Sequence, residues 1–323
     1  MAAEMEYVQL GRLGVRVSRI CLGVAFRGQD DDAVAVRVID RAIDLGCNFI
    51  DCANFYGRGR SEQVLARAMR GKRDDLFITT KVWSRIGPGT NDAGLSRFHI
   101  MREVERSLKR LGTDRIDLYL LHNWDPETPL DESLRAMDDL VRQGKVIYTG
   151  ACNFSATQVV EAMWTADRMG LTPWACLQNQ YNLLKRVEIE AELLPLARRH
   201  GIGLMTYSPL AIGLLSGRFR RGQTPPADSP WAKGRMNFDS AMSEQNDGVV
   251  QCLIDIGKKH NKTPAQVAVA WLLAHPEVTA PMIGPDLPEH VDETFGALGW
   301  ELTAEDMAAL DEASKVVLPG GYA

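Results

Sequence analysis

The stretch NFIDCANFYGRGRSE, residues 48–62, combines the pattern of a buried β-strand with side chains that can carry chemistry. Phe49 and Ile50 are apolar, as in a core strand, but the strand ends in the acid Asp51, and Tyr56 follows after a short polar turn. A buried carboxylate is costly unless another group pairs with it. We therefore expect a partner for Asp51 elsewhere in the chain, near the end of this strand.

Two later strands carry candidate partners at their own carboxyl ends. LFITTKV has Lys81 near its end, and IDLYLLH ends in His122. If consecutive strands are parallel and adjacent, their carboxyl ends lie along one edge of the sheet. The pattern then predicts that Asp51, Tyr56, Lys81 and His122 converge on one rim.

Strand-like and helix-like segments alternate along the chain. Apolar residues recur at helical spacing between the strands, and strand-like runs start near residues 20, 48, 76, 116, 146, 176, 203 and 279. Eight such units predict an α/β fold, a (β/α)₈ TIM barrel formed as one domain by residues 1–323. Active sites of this fold lie at the carboxyl ends of the strands, where the four polar residues fall.

Local signals add detail to this barrel. Two short apolar runs around residues 11–14 predict an N-terminal β-hairpin that caps the main body. Capping boxes at Ser155 and Thr263 mark two helix starts, and Thr128 with the proline after it resembles a third. The unit after the seventh strand is unusually long, and its first half, residues 209–243, is rich in proline, glycine and charge. We interpret it as a long surface loop over the barrel mouth.

The main rival fold is a doubly wound sheet that binds a dinucleotide. That fold calls for G-x-G-x-x-G after its first strand, and the nearest match, residues 57–62, ends in glutamate. The sequence also lacks a P-loop and a G-x-S-x-G elbow, so phosphoryl transfer and serine hydrolysis lose their simplest support. These patterns favour the barrel.

Composition and charge narrow the classes of partner. The 323 residues are 45% hydrophobic and 24% charged, with a formal net charge of -5, so we expect neither nucleic acid nor an anionic membrane surface as a partner. The longest apolar run, residues 267–274, is far below the roughly 18 residues of a membrane span. The amino terminus has no signal-peptide pattern. Six cysteines without C-x-x-C spacing and six histidines without ligand spacing predict reduced thiols and no metal. We expect a cytoplasmic protein.

The four rim residues together suggest a proton-handling unit. A nearby ammonium favours the phenolate form of a tyrosine, so Lys81 would make the proton of Tyr56 easier to give up. Asp51 would hold Lys81 in place, and His122 would orient a substrate oxygen. Because Lys81 is the only strong nucleophile on the rim, either it forms a Schiff base or an external hydride attacks the substrate carbon.

Longer stretches carry a family resemblance. NFIDCANFYGRGRSEQVLARAM, FITTKV, GLSRFHIMREVERSLKRLGTDRIDLYLLH and LVRQGKVIYTGACNFS resemble the aldo-keto reductase family over almost the whole chain, in particular the branch that includes bacterial aldo/keto reductases and potassium-channel β subunits. The resemblance implies a (β/α)₈ barrel that binds NAD(P)H in extended form. It also implies a catalytic tetrad, matched here by Asp51, Tyr56, Lys81 and His122, in which the tyrosine is the general acid.

The resemblance also implies cofactor positions. Asn153 and Gln178 would hold the nicotinamide carboxamide, with Cys152 where the family often has serine, and Tyr207 would stack on the ring. Gly213, Leu214, Ser216 and Arg218 would wrap the pyrophosphate. The remaining implied contacts are Gly23, Ser208, Leu210, Gly284, Asp286, His290 and Glu293.

The adenosine end departs from the family pattern. Asp286 stands where the family commonly has Ser, Lys or Arg, and Thr294 stands where an Asn is expected. A carboxylate accepts hydrogen bonds from ribose hydroxyls and repels a 2′-phosphate. The cofactor is therefore expected to be NADPH or NADH, with the preference open.

The substrate side gives weaker signals. Phe26, Trp83 and Trp124 follow strand ends and could line an apolar pocket, as could Phe219 and Trp231. We expect a small carbonyl substrate, which is an aldehyde, a ketone or an oxidised sugar. Two alternatives are a nicotinamide-binding regulatory subunit with little turnover and a Schiff-base aldolase that uses Lys81. The substrate itself, the direction of reaction and the oligomeric state stay open.

Overall fold

Eight parallel strands close into a barrel in the computed structural model, which describes residues 4–227, 229–232 and 236–315. Each strand pairs with the next along the chain, and the last returns to the first, with Met282 opposite Cys21. The (β/α)₈ prediction is confirmed. The barrel strands are β3 (Cys21–Gly23), β4 (Phe49–Asp51), β5 (Phe77–Val82), β6 (Ile116–Leu121), β7 (Val146–Cys152), β8 (Cys176–Gln180), β9 (Gly203–Tyr207) and β10 (Val278–Ile283).

The predicted N-terminal hairpin is also confirmed. Strands β1 (Tyr7–Gln9) and β2 (Arg16–Ser18) pair in antiparallel register. Gly11 sits in the turn with φ +57°, and a Cβ there would lie 2.4 Å from the carbonyl oxygen of Gly201, so the close approach to the barrel requires glycine. Leu10 belongs to the apolar cluster inside the barrel. The hairpin therefore caps the end of the barrel at which the strands begin.

Helices cover the outside of the barrel. They are α1 (Asp32–Asp44), α2 (Arg60–Ala68), α3 (Arg97–Leu111), α4 (Leu130–Arg142), α5 (Ala156–Met169), α6 (Leu194–His200), α7 (Phe238–Ala241), α8 (Glu244–His260), α9 (Pro264–Leu273), α10 (Pro288–Phe295) and α11 (Ala304–Ala313). Three 3₁₀ segments span Tyr56–Gly59, Arg73–Asp75 and Leu214–Ser216, and a short π-helix spans Ile189–Leu193. None of the helices in the described residues is long and apolar enough to cross a membrane.

The three predicted helix starts are confirmed, and two of them have the predicted capping box. Ser155 and Thr263 each form a full capping box with the glutamine three residues later. At the third start, α4 begins after Pro129 and Thr128 does not cap it. The Thr128 hydroxyl donates to Asp125 Oδ2 at 2.7 Å, and the amides of residues 132 and 133 donate to the carbonyl oxygen of Pro129.

Side chains inside the barrel change from apolar to polar along the strands. Near the strand starts, Phe49 and Phe77 pack edge to face with ring centroids 5.3 Å apart. Further along, the interior is filled by Asp51, Lys81 and Gln178, all buried. Because the interior is closed below by apolar side chains and the hairpin, the polar residues can be reached only from the carboxyl ends of the strands.

The long connection after β9 is more than a surface loop. In its described residues, Phe219, Trp231 and Phe238 are buried, and the indole Nε1 of Trp231 donates to the carbonyl oxygen of Ile212 at 3.0 Å. These aromatic residues anchor the segment that follows β9. The residues at 228 and 233–235 in this connection, and the short tail at 316–323, lie outside the described residues.

All six cysteines are free thiols, in agreement with the expected reduced state. Five of them are buried, and Cys252 is half-buried.

Candidate active site

Asp51 and Lys81 form a buried ion pair at the carboxyl end of the barrel. Both side chains are 0% exposed, and the Lys81 ammonium donates to Asp51 Oδ1. The same ammonium donates to the carbonyl oxygen of Cys52 at 2.9 Å. From the opposite side of the barrel, Gln178 Nε2 donates to Asp51 Oδ2 at 2.9 Å. The expected partner of the Asp51 carboxylate is therefore Lys81, and Gln178 is a second hydrogen-bond donor to it.

The ion pair keeps the ammonium charged. Burial by itself lowers the pKa of Lys81, but the charges of Asp51 and Tyr56 act in the opposite direction and raise it above its ordinary value. Burial raises the pKa of Asp51, and Lys81 and Gln178 oppose that increase. Lys81 is thus a fixed cation that is held away from solvent at neutral pH.

Tyr56 lies directly beside this cation. It starts the 3₁₀ segment after β4, and the Lys81 ammonium is 5.0 Å from the centroid of its ring. Burial raises the pKa of the Tyr56 phenol, and Lys81 lowers it by less. Lys81 therefore acts on the phenol pKa in the expected direction, but desolvation of the phenolate outweighs this attraction, so the net pKa of Tyr56 lies above its ordinary value.

His122 completes the group and is neutral. Its ring lies edge-on to that of Tyr56 with centroids 5.8 Å apart. Burial, followed by the charges of Lys81 and Arg27, lowers the pKa of His122 to about 3. Its Nδ1 is buried and has no hydrogen-bond partner among the described residues. A neutral imidazole carries one N–H and can donate it to a substrate oxygen without delivering a full proton.

The depressed pKa of His122 predicts a pH-dependent stability. An unfolded histidine takes up a proton near pH 6.5, whereas His122 stays neutral in the fold down to about pH 3. Its contribution is complete above the unfolded pKa and is lost as the pH falls between these values. We expect the His122→Asn variant to lose less free energy of unfolding than the parent between about pH 7 and about pH 4. Urea denaturation at several pH values measures this difference, and equal pH slopes would contradict it.

Amide side chains form a layer around the ion pair. Asn153 has a left-handed backbone with φ +60°, and its Nδ2 donates to the carbonyl oxygen of His122 at 3.1 Å. The Tyr207 hydroxyl donates to Asn153 Oδ1 at 2.8 Å. The Cys152 thiol donates to Gln178 Oε1 at 3.4 Å. The three residues that the resemblance assigned to the nicotinamide thus lie together at the mouth, next to the ion pair and to Cys152.

The segment after β9 has an unusual backbone. Ser208, Ala211 and Ile212 are non-glycine residues with φ of +56°, +47° and +58°, and Gly213 has φ +86°. Such conformations are costly and concentrate at ligand sites. Within the described part of the chain, the N–H groups of Leu210, Ile212 and Gly213 are not used in hydrogen bonds. The free amides of Ile212 and Gly213 are neighbours in a left-handed turn, which suits an anion such as a pyrophosphate, so the segment fits the task that the resemblance implied.

The predicted adenosine end lies where β10 leads into α10. Gly284 is exposed there, and His290 and Glu293 lie on α10. The start of α10 follows Leu287 and has no side-chain cap, so Asp286 does not cap this helix. The Asp286 carboxylate instead faces the loop after β3, since a Cβ at Gly28 would lie 2.4 Å from its Oδ2. Gly23 ends β3 next to this loop.

The Aldo/keto reductase family model matches residues 19–315. The chain belongs to this family. It is 38% identical over 328 aligned residues to the uncharacterized oxidoreductase YrpG of Bacillus subtilis (strain 168), covering 98% of this chain and 97% of that protein. It is 37% identical over 302 residues to a probable voltage-gated potassium channel subunit beta of Arabidopsis thaliana and to one of Oryza sativa subsp. japonica, covering 91% of each chain. The relationship supports an oxidoreductase.

Two of the aromatic residues considered for the aldo/keto reductase pocket are used elsewhere. Phe219 and Trp231 pack on Phe238, with ring centroids 6.0 and 6.1 Å away, and hold the segment after β9. Phe26 is buried, whereas Trp83 and Trp124 are only half-buried at the mouth. The ring of Trp124 is steadied edge-on by a buried phenylalanine with centroids 5.4 Å apart. Phe26, Trp83 and Trp124 therefore stay the candidates for an apolar wall.

One residue at the mouth of this aldo/keto reductase was missed by sequence reasoning. The guanidinium carbon of Arg27 lies 5.8 Å from the centroid of the Tyr56 ring. The signal was present, because Arg27 follows the carboxyl end of β3 as the rim residues follow the ends of their strands. The sequence does not distinguish it, because an arginine in a glycine-containing loop is typical of any protein surface.

Proposed function

We propose that the protein is an NAD(P)H-dependent oxidoreductase that reduces an aldehyde, ketone or oxidised-sugar carbonyl to the alcohol, or runs the reverse reaction. The observation that carries this proposal is the arrangement of Tyr56. Its ring lies beside a buried ammonium, 5.0 Å from the ring centroid, and edge-on to a neutral imidazole with centroids 5.8 Å apart, at the carboxyl end of the barrel strands. This arrangement handles one proton and supplies no electrons of its own.

Aldo/keto reductases generally use NAD(P)H, which when bound supplies the hydride. The residues that would hold it are the amide layer of Asn153, Gln178 and Tyr207 and the left-handed segment after β9. The chain itself supplies the proton. Tyr56 donates it to the carbonyl oxygen as negative charge develops there, and the fixed charge of Lys81 stabilises the resulting phenolate. His122 donates its N–H to the same oxygen and so orients the carbonyl.

The Schiff-base alternative has little support from the geometry. A Schiff base needs a neutral, accessible amine. Lys81 is 0% exposed, donates to Asp51 and to the carbonyl oxygen of Cys52, and has a raised pKa. A lysine that serves as nucleophile requires the opposite shift. Lys81 is therefore assigned an electrostatic role.

The proposal is tested by titrating the purified protein with NADH and with NADPH, followed by turnover with a panel of aldehydes, ketones and sugars. Quenching or enhancement of the nicotinamide fluorescence reports binding, and its absorbance reports turnover. Saturable binding with turnover of at least one carbonyl class supports the proposal. Absence of binding by both nucleotides contradicts it.

A prediction about the adenosine end follows from Asp286. Replacing it with arginine exchanges a repulsive charge for an attractive one beside a 2′-phosphate, and we expect the ratio of NADPH to NADH affinity to rise by roughly tenfold or more. Asp286→Asn, which only removes the charge, should give a smaller rise. Fluorescence titration measures both ratios, and ratios equal to that of the parent would reject this role for Asp286.

Two of the relatives suggest a second candidate, a regulatory subunit. Two relatives that are 37% identical are described as probable voltage-gated potassium channel beta subunits. In this reading the barrel binds the nucleotide tightly, turns over slowly and contacts a protein partner. Tight nucleotide binding without turnover of any carbonyl in the panel would favour this candidate over the enzyme.

A further inference from the structure

Arg27 is an unengaged cation at the mouth of the barrel. It is exposed, and within the described ranges its guanidinium forms neither a hydrogen bond nor an ion pair. Many other arginines are paired, such as Arg60 with Asp32 at 2.7 Å and Arg220 with Asp247 at 2.8 Å. An arginine fork without a carboxylate partner is suited to receive one from a ligand, because its N–H groups match the two oxygens of a carboxylate.

Arg27 faces the reacting groups. Its Cζ is 5.8 Å from the centroid of the Tyr56 ring. Its charge also contributes to lowering the pKa of His122 and acts on the Tyr207 phenol. A single cation that acts on three residues around the mouth points toward the space in which the carbonyl must lie.

The loop that carries Arg27 is held on both sides. Before it, Phe26 is buried and has a left-handed backbone with φ +45°. After it, Gly28 lies against the Asp286 carboxylate, and Gln29 Nε2 donates to the carbonyl oxygen of Asp286 at 3.1 Å. The backbone carbonyl oxygen of Gln29 accepts a hydrogen bond from Arg60 Nη1 at 2.8 Å. The backbone of Arg27 is therefore fixed at the mouth.

Overall charge does not explain this cation. The chain carries a formal net charge of -5, so the protein as a whole repels anions. The buried carboxylate closest to the site, Asp51, is already paired with Lys81. The positive charge of Arg27 thus opposes, at the mouth, the repulsion of anions by the rest of the protein. It favours a ligand that carries a negative charge near the reacting carbonyl.

We propose that Arg27 determines substrate specificity by binding a carboxylate on the carbonyl substrate, so that the preferred substrates are carbonyl acids. The assignment rests on the proposed carbonyl reduction. It adds a role for a side chain that proton transfer does not use. Tyr56 and His122 engage the carbonyl oxygen, and Arg27 engages the acidic group of the same molecule and fixes its orientation.

The test uses two aldehydes of similar shape, 4-carboxybenzaldehyde and the neutral methyl 4-formylbenzoate, with whichever reduced nucleotide binds better. The quantity compared is the ratio of kcat/KM for the acid to kcat/KM for the ester, since differences in intrinsic reactivity cancel between variants. We expect Arg27→Met to lower this ratio by roughly 10- to 100-fold, as for loss of a charged hydrogen bond. Arg27→Lys should keep part of the preference.

Two controls separate this role from others. Arg37→Met removes the same charge from an exposed position on α1 and should leave the ratio unchanged. Nucleotide affinity, measured by fluorescence, should be equal in the parent and in Arg27→Met. An equal loss of kcat/KM for both aldehydes, or a loss of nucleotide affinity in its place, overturns the role of Arg27 and leaves the proposed function intact. Absence of turnover of both aldehydes by a parent that reduces another carbonyl of the panel overturns the assignment of Arg27 alone. Absence of turnover of every carbonyl in the panel overturns carbonyl reduction, and the assignment of Arg27 with it.

Discussion

Tyr56→Phe is expected to reduce carbonyl turnover by at least about 100-fold, the usual effect of losing a general acid. The substitution removes one oxygen and keeps the ring that contacts His122 and lies over the Lys81 ammonium. The neutral His122, whose pKa is about 3, cannot take over the proton transfer at neutral pH because it has no dissociable imidazolium proton. The loss should therefore appear in kcat.

Nucleotide binding separates this effect from general damage. The groups proposed to hold the nucleotide do not include the Tyr56 hydroxyl, so titration with NADH or NADPH should give the same affinity before and after the change. Tyr148→Phe is a matched control, since it removes a phenol from the lower barrel interior, where the ring stacks on Phe77 with centroids 6.0 Å apart. A Tyr56→Phe variant as active as Tyr148→Phe would exclude Tyr56 as the acid.

The architecture was predictable because its signals are local. Each barrel strand is a short apolar run between turns, and the helices between them show one apolar face and recognisable caps. Ser155 and Thr263 cap as the sequence indicates, since the acceptor and the donor lie three residues apart. Thr128 does not act as a cap because the N-cap position is taken by Pro129, whose carbonyl oxygen accepts from the amides of the first turn.

The ion pair at the centre of the site was predictable for a different reason. Parallel strands bring their carboxyl ends together, so an acid at the end of one and a lysine near the end of the next must meet. Asp51 and Lys81 do so. The contact of Gln178 with Asp51 across the barrel could not be read in the same way, because it depends on the curvature of the closed sheet and on residues 127 positions apart.

Burial was the main source of error. The sign of the Tyr56 shift depends on whether desolvation or the ammonium dominates, and a sequence gives only the ammonium. Burial also decides the role of Phe219 and Trp231. As aromatic residues they could line a pocket, but they are buried against Phe238. Arg27 shows the opposite case, in which an exposed residue in an ordinary loop acquires significance from its distance to Tyr56.

Lys81→Met is expected to cost about 3–5 kcal/mol of unfolding free energy, in addition to abolishing turnover, because it breaks a buried ion pair and leaves a carboxylate without its cation. Asp51 is 0% exposed and would retain only the hydrogen bond from Gln178 Nε2. Methionine has a similar length and fills most of the volume of the lysine stem, so loss of packing contributes little. Urea denaturation measures the change in unfolding free energy.

The double variant Asp51→Asn/Lys81→Met identifies the cause. It removes both charges, so it should recover most of the stability lost in Lys81→Met while remaining inactive. The pH dependence gives a second check. Burial already raises the pKa of Asp51 above its usual value, and loss of the ammonium should raise it further. The folded variant then binds a proton more readily than the folded parent, so the deficit of Lys81→Met should shrink as the pH falls. A deficit that is independent of pH, or that persists undiminished in the double variant, would mean that the loss arises from packing and that the buried charge is not its source.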